Sequence, residues 1–226
     1  MNRNYSIYNT PFNEDIRKKR ANFIEVIGEG AISTVPDQGQ VILGVATEME
    51  NVSDAQKQNA ITTTSIINTL QSLGIQETNI QSTDYQIKPI YNYESNEQLL
   101  IGFRVQHLLK VTIDDINTIG VVIDSAVQQG ANIISSISFV VKHPELYYNQ
   151  AMQAALKYGT QKAKNIARTL GLAISHLPTQ VIELSQMPFP TQEKTTLFAQ
   201  AATTPIQPGQ LQISAIVKIR FHFSNH

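Results

Sequence analysis

The chain contains no cysteine and no tryptophan, and only 15% of its 226 residues are charged. Without cysteine there is no disulfide and no thiolate-held metal. That absence is as compatible with the periplasm as with the cytosol. The formal net charge is −1, which gives no overall pull toward nucleic acid or an anionic bilayer. No apolar run approaches the roughly 20 residues of a membrane-spanning helix. The N-terminus is read as carrying no secretory leader. Met1 to Arg20 are polar and end in Arg17, Lys18, Lys19 and Arg20, and the apolar stretch after them is broken by Glu25, Gly28, Glu29 and Gly30. The expectation is a cytoplasmic protein without a membrane span, in which residues 1–21 form a flexible arm.

What is present is 42% hydrophobic, in a length that suits one large domain or two small ones. Residues 23–27 read as a strand, followed by a turn around Val35, Pro36, Asp37 and Gly39. Val41, Leu43, Val45 and Met49 alternate as on a half-buried strand. Ser53 and Gln56 form a capping-box pattern. The stripe Ala60, Ile66, Ile67, Leu70 and Leu73 then predicts a helix ended by Gly74. Residues 80–88 read as a strand closed by Pro89, and Tyr91 to Gln98 as a polar turn. Residues 101–113 are a strand with Val105, His107, Leu109, Val111 and Ile113 on one face. Asp114 or Asp115 can cap a second helix bearing Ile116, Ile119, Ile123 and Val127, stopped by Gly130. Ile133 to Val141 alternate as a strand.

Pro144 suits the first position of a longer third helix. Its inner face carries Met152, Ala155, Gly159, Ala163, Ile166 and Leu170, and residues that small imply close approach to whatever lies beneath. Gly171 ends it, and 172–184 contain another strand. Residues 186–209, with four prolines, read as a long loop or hairpin excursion. The last segment alternates most cleanly: Ile213, Ala215, Val217, Ile219, Phe221 and Phe223 against Gln212, Ser214, Ile216, Lys218, Arg220 and His222. Strand, helix, glycine and strand recur three times. The expected fold is α+β, with residues 22–226 forming a mixed, largely antiparallel sheet built from repeated β-α-β units, helices packed on one side.

Four stretches carry a family resemblance. They are Gly28, Gly30 and Pro36–Asp37; Gly44-Val45-Ala46-Thr47 with Ala55, Asn59 and Ala60; Gly74-Ile75, Ile80-Gln81-Ser82 and Pro89-Ile90-Tyr91-Asn92-Tyr93; and Ile101-Gly102-Phe103 through Val111, Gly120, Asp124 and Gly130-Ala131-Asn132 to Phe139. The later helix, with Ala151, Ala155, Ala163 and Ala167, fits as well. This ordered set resembles the SIMPL-domain family. The resemblance implies a mixed α/β fold, a tendency to self-assemble and a stress- or envelope-related role. It implies no catalytic residues. Many members of that family carry export signals.

Read for chemistry, the chain offers little. Gly28-Glu29-Gly30 follows a strand, but a phosphate-cradling loop needs a helix start directly after it, so a turn or bulge is expected. Among His107, His143, His176, His222 and His226, no two lie one turn apart on a helix and none sits beside a carboxylate cluster. His107, on an apolar strand face, reads as a hydrogen-bonded histidine at the core margin. Asp114 and Asp115 point apart, as neighbours on a forming helix do. Asn51-Val52-Ser53 fits a glycosylation sequon that has no role in a cytoplasmic chain. Lys157, Lys164 and Arg168 share one helix face, a basic patch that could contact phosphates, although aromatic residues are not interleaved with it. Tyr91, Tyr93, Phe189 and Phe198 fall in expected loops, where aromatics can anchor a protein interface.

The reading is therefore a non-enzymatic structural or interaction protein with no cofactor and no metal. It forms a homo-oligomer through strand edges and the 186–209 excursion, and takes an unidentified protein partner. The alternative is a nucleic-acid-binding module using the basic helix face, which the overall charge disfavours.

Overall fold

The computed structural model describes residues 22–94, 97–184, 191–192 and 206–225. The 1–21 arm and most of the 186–209 excursion lie outside them, and so do Phe189 and Phe198. In chain order the elements are β1 (Phe23–Thr34), β2 (Gln38–Met49), α1 (Val52–Ser72), β3 (Ile80–Glu94), β4 (Glu97–Ile113), α2 (Ile119–Gln128), β5 (Ile133–Val140), α3 (Pro144–Thr169), β6 (Leu172–Ile174), β7 (Gln180–Glu183), β8 (Thr191–Gln192) and β9 (Leu211–Asn225).

The architecture is α+β, and every strand pair among the described residues is antiparallel. Where one sheet was expected there are two. The first joins β1 to β9 over the whole of β1 without a register shift. The short strands β6, β7 and β8 follow one another along the opposite edge of β9. The second runs β3-β4-β2-β5. There β2 and β3 are both antiparallel to β4, and β4 and β5 are both antiparallel to β2. Each β-α-β unit is therefore split by a strand between its two members, the β-α-β-β-α-β arrangement. The third expected unit, β5-α3-β6, passes from one sheet to the other. The separation has a local origin. Pro36, buried just after Thr34, cannot donate to a ladder, and the alternation of β9 matches β1 residue for residue.

Each sheet has its own core. Val41, Leu43, Leu109, Val111, Ile66, Leu70, Ile119 and Ile123 are buried between the second sheet and α1 and α2. Ile24, Val26, Ile213, Val217, Ile219 and Phe221 meet α3 through Ala151, Ala155, Ala163 and Ala167. All three predicted stops are glycines with positive φ: 89° at Gly74, 99° at Gly130 and 67° at Gly171. Asp37 joins the two links that pass between the sheets, its N–H donating to Val140 O at 3.3 Å and its carboxylate accepting from the Lys142 N–H at 2.8 Å.

Three local expectations change. The residue before α1 is Asn51, whose side chain caps nothing, and Gln56 is drawn instead to the Tyr85 hydroxyl at 3.3 Å. Asp115 caps a short 3₁₀ turn ahead of α2, accepting from Asn117 N–H at 3.0 Å. Asp114 accepts from Gln38 at 2.8 Å and pairs with Lys142 at 3.6 Å. Finally, β3 does not stop at Pro89. Among the described residues its sole strand neighbour is β4, and an edge strand tolerates proline. Tyr91 and Tyr93 consequently lie in a strand rather than a loop.

Candidate functional site

The β3–β4 hairpin outruns its sheet. Pairing of β4 with β2 ends at Phe103, opposite Met49, while β4 continues back through Gly102 to Glu97 against β3. These six residues, about 20 Å of strand, form a two-stranded ribbon. A bulge between Ile90 and Tyr91 upsets the alternation. As a result Leu99, Leu100 and Ile101 are 66%, 48% and 49% exposed in succession, with Tyr91 40% exposed beside them. An isolated two-stranded ribbon is marginal in water, and contiguous exposed apolar side chains mark interaction surfaces. Of the four aromatics singled out, the structure places Tyr91 on this ribbon. Tyr93 is in the same strand, with its side chain outside the description. The three consecutive aliphatics beside Tyr91 were not foreseen. The run Leu99-Leu100-Ile101 next to a turn was the available signal.

A second surface lies where α3 crosses β1. Gly28-Glu29-Gly30 is neither a phosphate loop, nor a turn, nor a bulge: it is in the middle of a straight strand. A Cβ on Gly28 would overlap the Ala155 carbonyl oxygen, one on Gly30 the Ala151 carbonyl oxygen, and one on Gly159 would stand 3.1 Å from Gly28 Cα. The glycines let the helix backbone rest on the strand. Lys157, Lys164 and Arg168 are exposed on the far side of α3. Among the described residues they enter no ion pair. Lys162, on another flank, donates to Ile27 O at 3.4 Å and lies 6.0 Å from the Tyr158 ring centre.

Polar groups gather between α1 and the second sheet. Asn59, almost fully buried, donates to Val45 O at 3.1 Å and to Val105 O at 3.0 Å, carbonyls of adjacent strands. Nearby, His107 Nε2 and Ser82 Oγ are 2.7 Å apart, and the Tyr85 ring stands edge-on at 5.3 Å. Burial holds the imidazole pKa below its ordinary 6.5, so the ring is neutral at neutral pH. A serine hydrogen-bonded to histidine is half of a nucleophilic pair. Among the described residues no carboxylate orients the ring. The contact is that of a satisfied histidine at the core margin.

Elsewhere, a cleft of 340 Å³ is lined by Asn22, Phe23, Thr179, Gln180, Arg220 and His222. Its one guanidinium is engaged already: Arg220 bonds Glu25 at 2.7 Å and stacks 4.3 Å over Phe23. That bond, with help from Lys218, holds the Glu25 carboxyl below its ordinary pKa. Among the described residues no three His, Asp or Glu side chains converge to hold a metal ion, and no helix is long and apolar enough to cross a membrane.

Comparison with known proteins leaves the chemistry as sparse. The 26 kDa periplasmic immunogenic protein of Brucella melitensis is 26% identical over 209 residues, covering 88% of this chain and 83% of that protein. The uncharacterized protein YggE of Escherichia coli (strain K12) is 26% identical over 140 residues, 62% of this chain and 57% of its own length. That of Edwardsiella ictaluri is 22% identical over 175 residues, 77% and 72% respectively. A relative named as periplasmic runs against the cytoplasmic location expected from the sequence. The SIMPL profile, described as a protein of unknown function (DUF541), matches residues 24–221. The chain therefore belongs to the SIMPL family.

Proposed function

We propose that this protein is a non-enzymatic interaction protein of the cell envelope that works as an assembly of identical copies. The observation that carries this reading is the projecting ribbon. Leu99, Leu100, Ile101 and Tyr91 are displayed together on a hairpin that pairs with no third strand among the described residues, an arrangement stabilised when another surface covers it. The envelope assignment is supported by the name of the Brucella relative. Light scattering of the purified chain at micromolar concentration should give a mass several times 25.1 kDa. Replacing Leu99 and Leu100 by lysine should return it to monomer with its thermal midpoint within a few degrees of the parent. A strict monomer in the parent protein rejects the reading.

A nucleic-acid-binding role draws on a different observation, the exposed Lys157, Lys164 and Arg168. The four-stranded sheet has the strand order of RNA-binding sheets, but those stack bases on aromatic residues. The solvent-facing positions here carry Asp84, Gln86, Lys88, Arg104, Gln106 and Lys110 instead. Asp84 accepts from Gln86 at 2.9 Å and from Gln106 at 3.1 Å, and Arg104 pairs with Glu48 at 3.1 Å. Such a face is already occupied with itself. Binding of single-stranded RNA or DNA at low salt, lost as salt rises, would favour this second role.

A further inference from the structure

The N–H of Phe223 donates to Asn22 O at 3.1 Å, so the even-numbered residues of β1 bond to β9. In an antiparallel ladder the odd residues then turn both amide groups outward, which places those of Phe23, Glu25, Ile27, Glu29, Ala31 and Ser33 on the free edge. Lys162 confirms the direction, reaching the Ile27 carbonyl from α3. No strand among the described residues pairs with this edge. Over its 12 residues β1 has no proline, lysine or bulge, three of the defences against a further strand; its charges are Glu25 and Glu29, and the Ile27 carbonyl is met by Lys162.

A second β1 does not fit there. α3 rests directly on β1, with Gly28 beneath Gly159. Neighbouring strands are about 4.8 Å apart, whereas packed helices need about 8–10 Å, so two copies of α3 would collide. The incoming strand must be bare on its helix side. Past Gly102 the pairing with β2 has ended, and among the described residues no helix or third strand is assigned to the ribbon.

We propose, resting on the self-association above, that the ribbon of one copy adds to the outer edge of β1 in the next, in the trough beside α3. Leu99, Leu100 and Ile101 then cover Phe23 and Ile27, which are 44% and 42% exposed on one side of the edge, and Tyr158, 57% exposed on the other. By sequence, the paired strand ends Glu94 and Glu97 are opposite in sign to Lys157, Lys162, Lys164 and Arg168 of α3. Ribbon and edge belong to different parts of the chain, so the contact is head-to-tail.

The absence of cysteine makes the test clean. One full-length preparation carries Ile27→Cys, and three others carry Leu99→Cys, Leu100→Cys or Ile101→Cys. Each ribbon variant is mixed with the edge variant under mild oxidation and run without reductant. At least one mixture should give a covalent dimer at about tenfold the yield of either partner alone. Ile61→Cys, exposed on α1, should give none with any ribbon variant. If the variants assemble by light scattering yet no mixture crosslinks above the Ile61→Cys control, this docking is wrong and self-association stands. If they remain monomeric as the parent does, both are wrong.

Discussion

Over the second sheet, α1 is held off by full-sized side chains, Ile66 and Leu70 against Leu43 and Leu109, with one buried amide, Asn59, bridging two strands. Over the first, α3 lays the small residues Ala151, Ala155, Gly159, Ala163 and Ala167 along its contact line, with Tyr148 buried near its start, and the strand beneath answers with Gly28 and Gly30. One contact is filled by side-chain volume, the other by removing it. The two should therefore fail in opposite directions, the first when atoms are deleted and the second when they are added.

Gly28→Leu should have the largest effect. Its side chain meets the backbone of α3 and not the flexible end of a neighbour, so a loss of about 4 kcal/mol is expected, at the far end of overpacking costs. Protein of ordinary stability would barely fold. Leu70→Ala in the other core should cost about 3 kcal/mol through lost transfer energy and a cavity. A midpoint change of under about 1 kcal/mol for Gly28→Leu, measured by denaturant unfolding, would mean that α3 can lift off β1. Asn59→Leu comes next. It keeps the branched shape but leaves the Val45 and Val105 carbonyls without their amide donor, and should cost about 2 kcal/mol. Asn59→Ala should cost at least as much.

These residues also show where sequence patterns carry structural information and where they do not. The small residues of α3 announced close approach correctly, because helical periodicity needs only one segment. That Gly28 and Gly30 were the other half could not be read locally, since a glycine pair after a strand start looks the same in a turn. The final strand was read correctly from strict alternation, and the helix stops from glycine's tolerance of positive φ. Asn59 and Thr63 were missed because a polar residue on a helix is read as exposed. The stripe was consequently begun at Ala60, which is exposed, although its Ile66 and Leu70 are buried. The ribbon was missed because Pro89 was treated as a terminator and the Ile90 bulge hides alternation. Both features are decided by β3 having a neighbour on only one side. His107 was placed correctly at the core margin, but its partners Ser82 and Tyr85 come from the neighbouring strand, and the register shift between Ser82 and Asp84 that brings both to it leaves no local pattern.

The gentlest way to separate the two regions is pH. Burial lowers the native pKa of His107 below 6.5, so at a pH between the native and unfolded values the unfolded chain holds more protons than the folded one. Stability then rises with pH. The contribution is complete above 6.5 and is lost as pH falls through the native value. In the first sheet the titrating group is Glu25, whose carboxyl Arg220 holds below 4.5. Its contribution is present above 4.5 and fades only in more acidic solution. Mild acid, about pH 5 to 6, should therefore loosen α1 and β4 while β1 and β9 stay protected, a difference readable by amide hydrogen exchange. His107→Gln should remove this loosening and keep the more acidic limb, whereas Arg220→Gln should do the reverse. Equal loosening of both sheets at pH 5 to 6, unchanged by His107→Gln, would show that the two cores do not respond as separate units.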